Sequence, residues 1–101
     1  MSQDIHAVKV AKDLEDLIPV FMKNRLNEVD SLKAAVAAGD FEQLRQLGHR
    51  MKGVGNSYGF AQVSVIGERV EDAARAADKA ALQQCVEEYA AYLSKVTVVY
   101  E

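Results

Sequence analysis

A chain of 101 residues, half of them hydrophobic, suffices for one modest core and leaves no room for a second catalytic lobe. Its formal net charge of −3 argues against a nucleic-acid binder, which is usually basic. The single cysteine, Cys85, excludes an intramolecular disulfide, and the N-terminal stretch MSQDIHAVKVAKD carries charge where a signal peptide needs an apolar run. No apolar stretch approaches the roughly 18 residues of a bilayer span, so a cytoplasmic protein with no membrane or nucleic-acid partner is expected.

The chain reads as helix nearly throughout, being rich in Ala, Leu, Glu, Gln, Lys and Arg with one proline. Leu14, Leu17, Ile18, Phe21, Met22, Val29, Leu32, Ala35 and Val36 keep a helical stripe. Pro19 interrupts it: either a new helix starts there, since proline suits a first turn, or one helix is kinked. The alternating charges from Lys9 to Arg25 read as a solvated face, and His6 as part of a mobile N-terminus. Gly39-Asp40 suits the end of one helix and the cap of the next.

A second segment runs from Phe41 to about Gly55, with Phe41, Leu44, Leu47, Met51 and Val54 on one face, and a break at 56–59. A third carries Phe60, Val63, Ile66, Val70, Ala73, Ala74 and Ala77. Asp78 is a candidate N-cap for a fourth, with Leu82, Cys85, Val86, Tyr89, Leu93 and Val96 on its apolar face. Cys85 is read as core, and Tyr89, Tyr92 and Tyr100 as packing and rim residues. The β-branched tail VTVVYE has no obvious strand partner. Amphipathic helices joined by short connections pack antiparallel. The expected fold is therefore all-α: a single domain over 1–101, with an up-down four-helix bundle over roughly 14–95 and room for a short extra N-terminal helix.

On the second helix, at about 100° per residue, His49 lies roughly 150° from the apolar direction. An exposed histidine is expected there, not a core one. Gly53 lies one turn further on, and Lys52 sits on the flank between His49 and the core. Arg45 and Gln46 flank from the preceding turn, Arg50 follows directly, and Asn56 continues the strip if the helix reaches it. Glycine in a helix interior costs about 1 kcal/mol relative to alanine. Gly48 faces the core side, where it would let a neighbouring helix approach. Gly53 faces out, and two readings stand: the helix ends there, or a partner has to reach His49 closely. The chemistry suits phosphoryl transfer, because neutral imidazole is a competent nucleophile and Lys52 supplies a cation for the transferring charge. The glycine-rich run 53–59 follows no strand and has its lysine before the glycines, so it is not a nucleotide-binding loop. The two histidines and Cys85 have no metal-ligand spacing, and no metal site is expected.

His49-Arg50-Met51-Lys52-Gly53 followed by Gly59 resembles the His-x-x-Lys-Gly-x-x-x-x-x-Gly motif of histidine-containing phosphotransfer (HPt) domains. The flanking Ala38-Gly39-Asp40-Phe41 and the run Glu68-Arg69-Val70-Glu71-Asp72-Ala73-Ala74-Arg75 also look like this family, so the resemblance spans roughly 14–95. It implies that His49 accepts a phosphoryl group on its outer nitrogen from a receiver-domain aspartyl phosphate, or from a kinase, and passes it to another receiver. Lys52 would assist electrostatically, Gly53 would clear the approach, and Gly59 would shape the entry to the third helix. Glu71 stands where the family often places Gln or Glu beside the histidine. It is either an orienting hydrogen-bond partner or an ordinary solvated or ion-paired carboxylate. Met51 replaces the commoner leucine. The implied partners are response-regulator receiver domains and a hybrid sensor histidine kinase. The chain itself would be a monomer that binds no cofactor, with Mg²⁺ belonging to the receiver. It would be an intermediate and no autonomous enzyme. A non-catalytic helical module that binds a receiver or kinase without carrying phosphate is the alternative from another class. An autonomous small phosphatase is a further one, for which the sequence supplies no second acid-base group apart from Glu71.

Overall fold

The computed structural model describes residues 6–101. Strand β1 (His6–Val10) leads into a 3₁₀ helix (Lys12–Leu17). Four helices follow, α1 (Ile18–Ala38), α2 (Phe41–Tyr58), α3 (Ala61–Arg75) and α4 (Lys79–Lys95), and strand β2 (Val96–Tyr100) ends the chain. The protein is a helical bundle, in which α1 packs on α2 and α4, and α3 packs on the same two helices.

Local chemistry explains the helix ends. Pro19 sits in the first turn of α1, so the first of the two readings at that position holds: a new helix starts, and nothing is kinked. Leu14 and Leu17 fall in the preceding 3₁₀ turn, and Leu17 is 48% exposed, outside the stripe expected of it. Gly39 closes α1 in the left-handed conformation at φ 66°. Asp40 and Asp78 cap α2 and α4, accepting hydrogen bonds from the backbone N–H of Gln43 and Ala81. The break expected at 56–59 is shorter than the sequence suggests: α2 runs to Tyr58 and ends at Gly59, φ 82°. Ala77 lies beyond α3, at φ 54°.

The α2–α3 pair is antiparallel and very close. A Cβ at Gly48 would fall 2.6 Å from Gly67 O and Glu71 N, and one at Gly55 would fall 2.6 Å from Ser64 N. Ser64 Oγ donates to Lys52 O at 2.6 Å. Partners therefore descend along α3 as they ascend along α2. Two- and three-residue connections turn the chain between successive helices.

The core holds Phe21, Leu32, Leu44, Met51, Phe60, Val63, Ile66, Val70, Leu82 and Tyr89, and Cys85 is buried with them. Phe21 packs on Phe60 and Tyr58, ring centroids 4.6 Å apart in each case, so α1 is tied to the α2–α3 turn. Arg25 does not belong to the solvated face proposed for its segment. It is 8% exposed, its Nε lies 3.0 Å from Glu28 Oε1, and its guanidinium rests over Phe21. Tyr89 Oη donates to the same carboxylate oxygen at 2.8 Å, joining α4 to α1.

The tail does have a strand partner. β1 and β2 pair in parallel, His6 opposite Val96 and Val10 opposite Tyr100, so the N-terminus from His6 onward is a strand where a mobile segment was expected. Four helices of alternating direction bring the chain's two ends to the same end of the bundle, which places two β-branched segments side by side. Val8, Val10, Val96, Val98 and Tyr100 pack against the core.

Candidate functional site

His49 stands on the outward face of α2 with its side chain 74% exposed. The apolar face of α2 (Leu44, Leu47, Met51) is buried completely or nearly so, which fixes the opposite face toward solvent. Nδ1 of His49 lies 3.4 Å from Oε2 of Glu71 on α3. The contact is a close approach, longer than an ordinary hydrogen bond. Only 6% of the Glu71 side chain is exposed, and Arg75, one turn on, donates from Nη2 to the same Oε2 at 2.9 Å. Glu71 is thus not solvated: it is a buried carboxylate ion-paired with Arg75, as the second reading allowed, with the His49 ring 3.4 Å from the same oxygen. A carboxylate accepting from Nδ1–H favours the tautomer whose lone pair sits on Nε2, the ring nitrogen on the far side from Glu71.

Gly53 lies inside α2, five residues before its end, and a Cβ there would meet nothing within 4 Å. The capping reading of Gly53 is therefore overturned. It has neither a left-handed backbone nor a packing neighbour, and what remains is an open surface one turn from His49. Gly48, by contrast, is explained entirely by its contact with α3, with Gly67 as its counterpart.

Lys52 Nζ lies 3.7 Å from Glu68 Oε1, both side chains about half exposed. Such a surface pair is worth under about 1 kcal/mol and is easily exchanged for an incoming anion. Asn56 is exposed on the same strip, because α2 reaches past it. Arg45 and Gln46 both donate to the Glu42 carboxylate, at 2.7–3.0 Å. Those bonds hold the Glu42 carboxyl down to about 2, and they turn both side chains toward the α2 N-terminus. Arg50 is exposed on the α1 side of the strip, beside Asn24 and Asn27. Gly59 lies outside the cluster and ends α2. Sequence reasoning missed Arg75 and Glu68 as neighbours of the histidine. The four-residue spacing of Glu71 and Arg75 was a readable signal; the lateral approach of α3 was not. Among the described residues, no cluster of His, Cys, Asp or Glu is placed to hold a metal ion, and no helix is long and apolar enough to cross a membrane.

The site thus places an exposed imidazole 3.4 Å from a buried carboxylate, with a lysine and an open glycine surface within one turn, on a four-helix bundle. The family model of the Hpt domain matches residues 16–97, and the chain belongs to the Hpt domain family. No curated protein and no solved structure matches it significantly. Membership places the protein in two-component signalling, in which Hpt domains perform histidine phosphotransfer as intermediates that interact with receiver domains and kinases.

Proposed function

We propose that His49 is the phosphoryl-carrying residue, and that the protein relays the group between receiver-domain aspartates, with a hybrid sensor histidine kinase upstream. The observation that carries this reading is the pairing of His49 and Glu71. The buried carboxylate faces Nδ1, so Nε2 presents its lone pair to solvent beside the open surface of Gly53. Nε2 attacks the phosphorus of the aspartyl phosphate. An N–P bond forms, the bond to the aspartate oxygen breaks, and that carboxylate leaves with the electron pair. The reverse sequence delivers the group onward.

Lys52 offsets charge on the equatorial oxygens as it exchanges Glu68 for the phosphoryl group. The barrier is lowered mainly by positioning and electrostatics, and Mg²⁺ is brought by the receiver. The strip of Gly53 and Asn56 receives the partner, with Arg45, Gln46 and Arg50 at its margins.

Incubation with phosphorylated receiver proteins is expected to place an acid-labile, base-stable phosphate on His49. His49→Gln is expected to abolish it, and equal labelling of that variant would refute the assignment.

A further inference from the structure

On the α1 side of His49, a polar cleft of about 300 Å³ opens between α1 and α2. Its donors are Arg25, Asn24, Asn27 and Ser31 from α1, with Arg50, the residue after His49, from α2. Arg25 is the unusual member. The residue is more than nine-tenths buried, yet its guanidinium makes no hydrogen bond among the described residues, and its Nε is fully sealed without one. Its partner in charge is Glu28, 3.0 Å from Nε, and that carboxylate oxygen also accepts from Tyr89. Arg50 has neither an ion pair nor a hydrogen bond among the described residues. Ser31 Oγ makes a long donation to Asn27 O at 3.4 Å, which an incoming carboxylate would have to displace to use that hydrogen. With Glu28 counted, the two arginines leave the cleft one positive charge in excess, on a chain whose formal net charge is −3.

Guanidinium donors held this deep are normally satisfied by hydrogen bonds. Planar arginine forks and side-chain amides are suited to a carboxylate. We infer that this cleft is a docking site for a carboxylate side chain of the protein that exchanges phosphoryl groups with His49. The inference rests on the phosphotransfer reading of that residue. The two flanks of His49 then divide the work. The α3 side, with Glu71, Arg75, Lys52 and Glu68, sets the chemistry. The α1 side grips the partner through an acidic side chain and so selects which receivers dock.

The test uses the full chain and a phosphorylated receiver that labels the wild type. Arg50→Glu and Asn27→Asp each place an acid in the cleft without touching its buried floor, and thermal melts confirm folding. The expected result is a rise of at least tenfold in the KM for the phosphorylated receiver, with kcat changed less than threefold, and a weaker salt dependence of KM. Unchanged KM in both variants overturns the cleft while leaving the phosphotransfer reading intact. A second arm titrates inorganic phosphate against the amide signals of Asn24, Asn27 and Ser31. Saturation by phosphate, with no shift on receiver binding, also overturns it, by making the occupant a free anion. Phosphoramidate, a small donor that needs no docking, tests the parent reading on the wild type alone. If it leaves His49 unlabelled and no receiver labels it either, the phosphotransfer reading fails and the docking site with it.

Discussion

Gly53 is the residue at which stability and the proposed function pull in opposite directions. It sits mid-helix with open space where a Cβ would project, so the helix bears the conformational penalty of glycine without any packing return. Gly53→Gln is therefore expected to raise stability by about 0.5–1 kcal/mol in a urea titration. The same change is expected to slow phosphoryl transfer to His49 at least tenfold, because the longer side chain would occupy the approach. A variant that is more stable and equally fast would remove the steric argument. Glu71 illustrates a different kind of residue-scale constraint. Its burial would be costly for a lone carboxylate, and Arg75 compensates with a charge-assisted hydrogen bond at 2.9 Å to the oxygen that also lies 3.4 Å from His49 Nδ1. The outward face of His49 was legible from helix periodicity, and the resemblance to the family motif singled out Lys52 and Gly53 beside it. Arg75 and Glu68 were not identified, because their proximity to the histidine arises between helices.

At the scale of elements, the α2–α3 contact decides where the histidine and its carboxylate meet. Gly48 and Gly67 let the two backbones approach until a single Cβ would collide with main-chain atoms at 2.6–2.7 Å. Gly48→Ala is expected to destabilise the protein by about 1–3 kcal/mol despite the better helix propensity of alanine. The expected loss appears as a lower urea midpoint. It is also expected to push Glu71 away from His49, seen as a change in the ¹⁵N shifts of the imidazole. Caps at Asp40 and Asp78 and the stop at Gly39 followed directly from residue type, since each depends on atoms within four positions along the chain, whereas the choice between a start and a kink at Pro19 did not. The end of α2 did not: Asn56, Ser57 and Tyr58 are weak helix residues, yet α2 runs through them, and the Tyr58 ring packs tilted against Phe21 of α1.

For the molecule as a whole, polar links tie α4 to α1 and to α3. Tyr89 reaches Glu28 inside the core, and its hydroxyl is pushed well above the ordinary tyrosine range by burial and by the facing carboxylate. Tyr89→Phe removes the donor and leaves the carboxylate with Arg25 alone. A loss of about 1–3 kcal/mol is expected, with an unchanged denaturant slope. Arg69 and Glu88 form a two-pronged pair at 2.7 and 2.9 Å between α3 and α4, which holds the Glu88 carboxyl below its usual range. A folded-state value lowered in this way contributes stability above the unfolded value of about 4.3, and that contribution fades as pH falls through the folded value. The pair is about 40% exposed, so the effect is expected to be under about 1 kcal/mol. Glu88→Gln should accordingly flatten the acid limb of a stability-versus-pH curve below pH 4.5, and an unchanged limb would contradict the linkage.

The sequence alone determined the helical class, the capped starts of α2 and α4 and the exposure of His49. All of these follow from local rules, the 3.6-residue period and the capping chemistry of adjacent residues. It left Gly53 undecided, described Arg25 as solvated and found no partner for the tail. Tertiary structure settled those points. The burial of Arg25 depends on Glu28 and Phe21 closing over it beneath α4, and the β1–β2 pairing joins segments at opposite ends of the chain. The open face of Gly53 became certain only once α2 was seen to continue past it with no neighbour opposite. Periodicity reports which way a side chain points. Whether anything stands there to meet it is decided by the packing of distant segments.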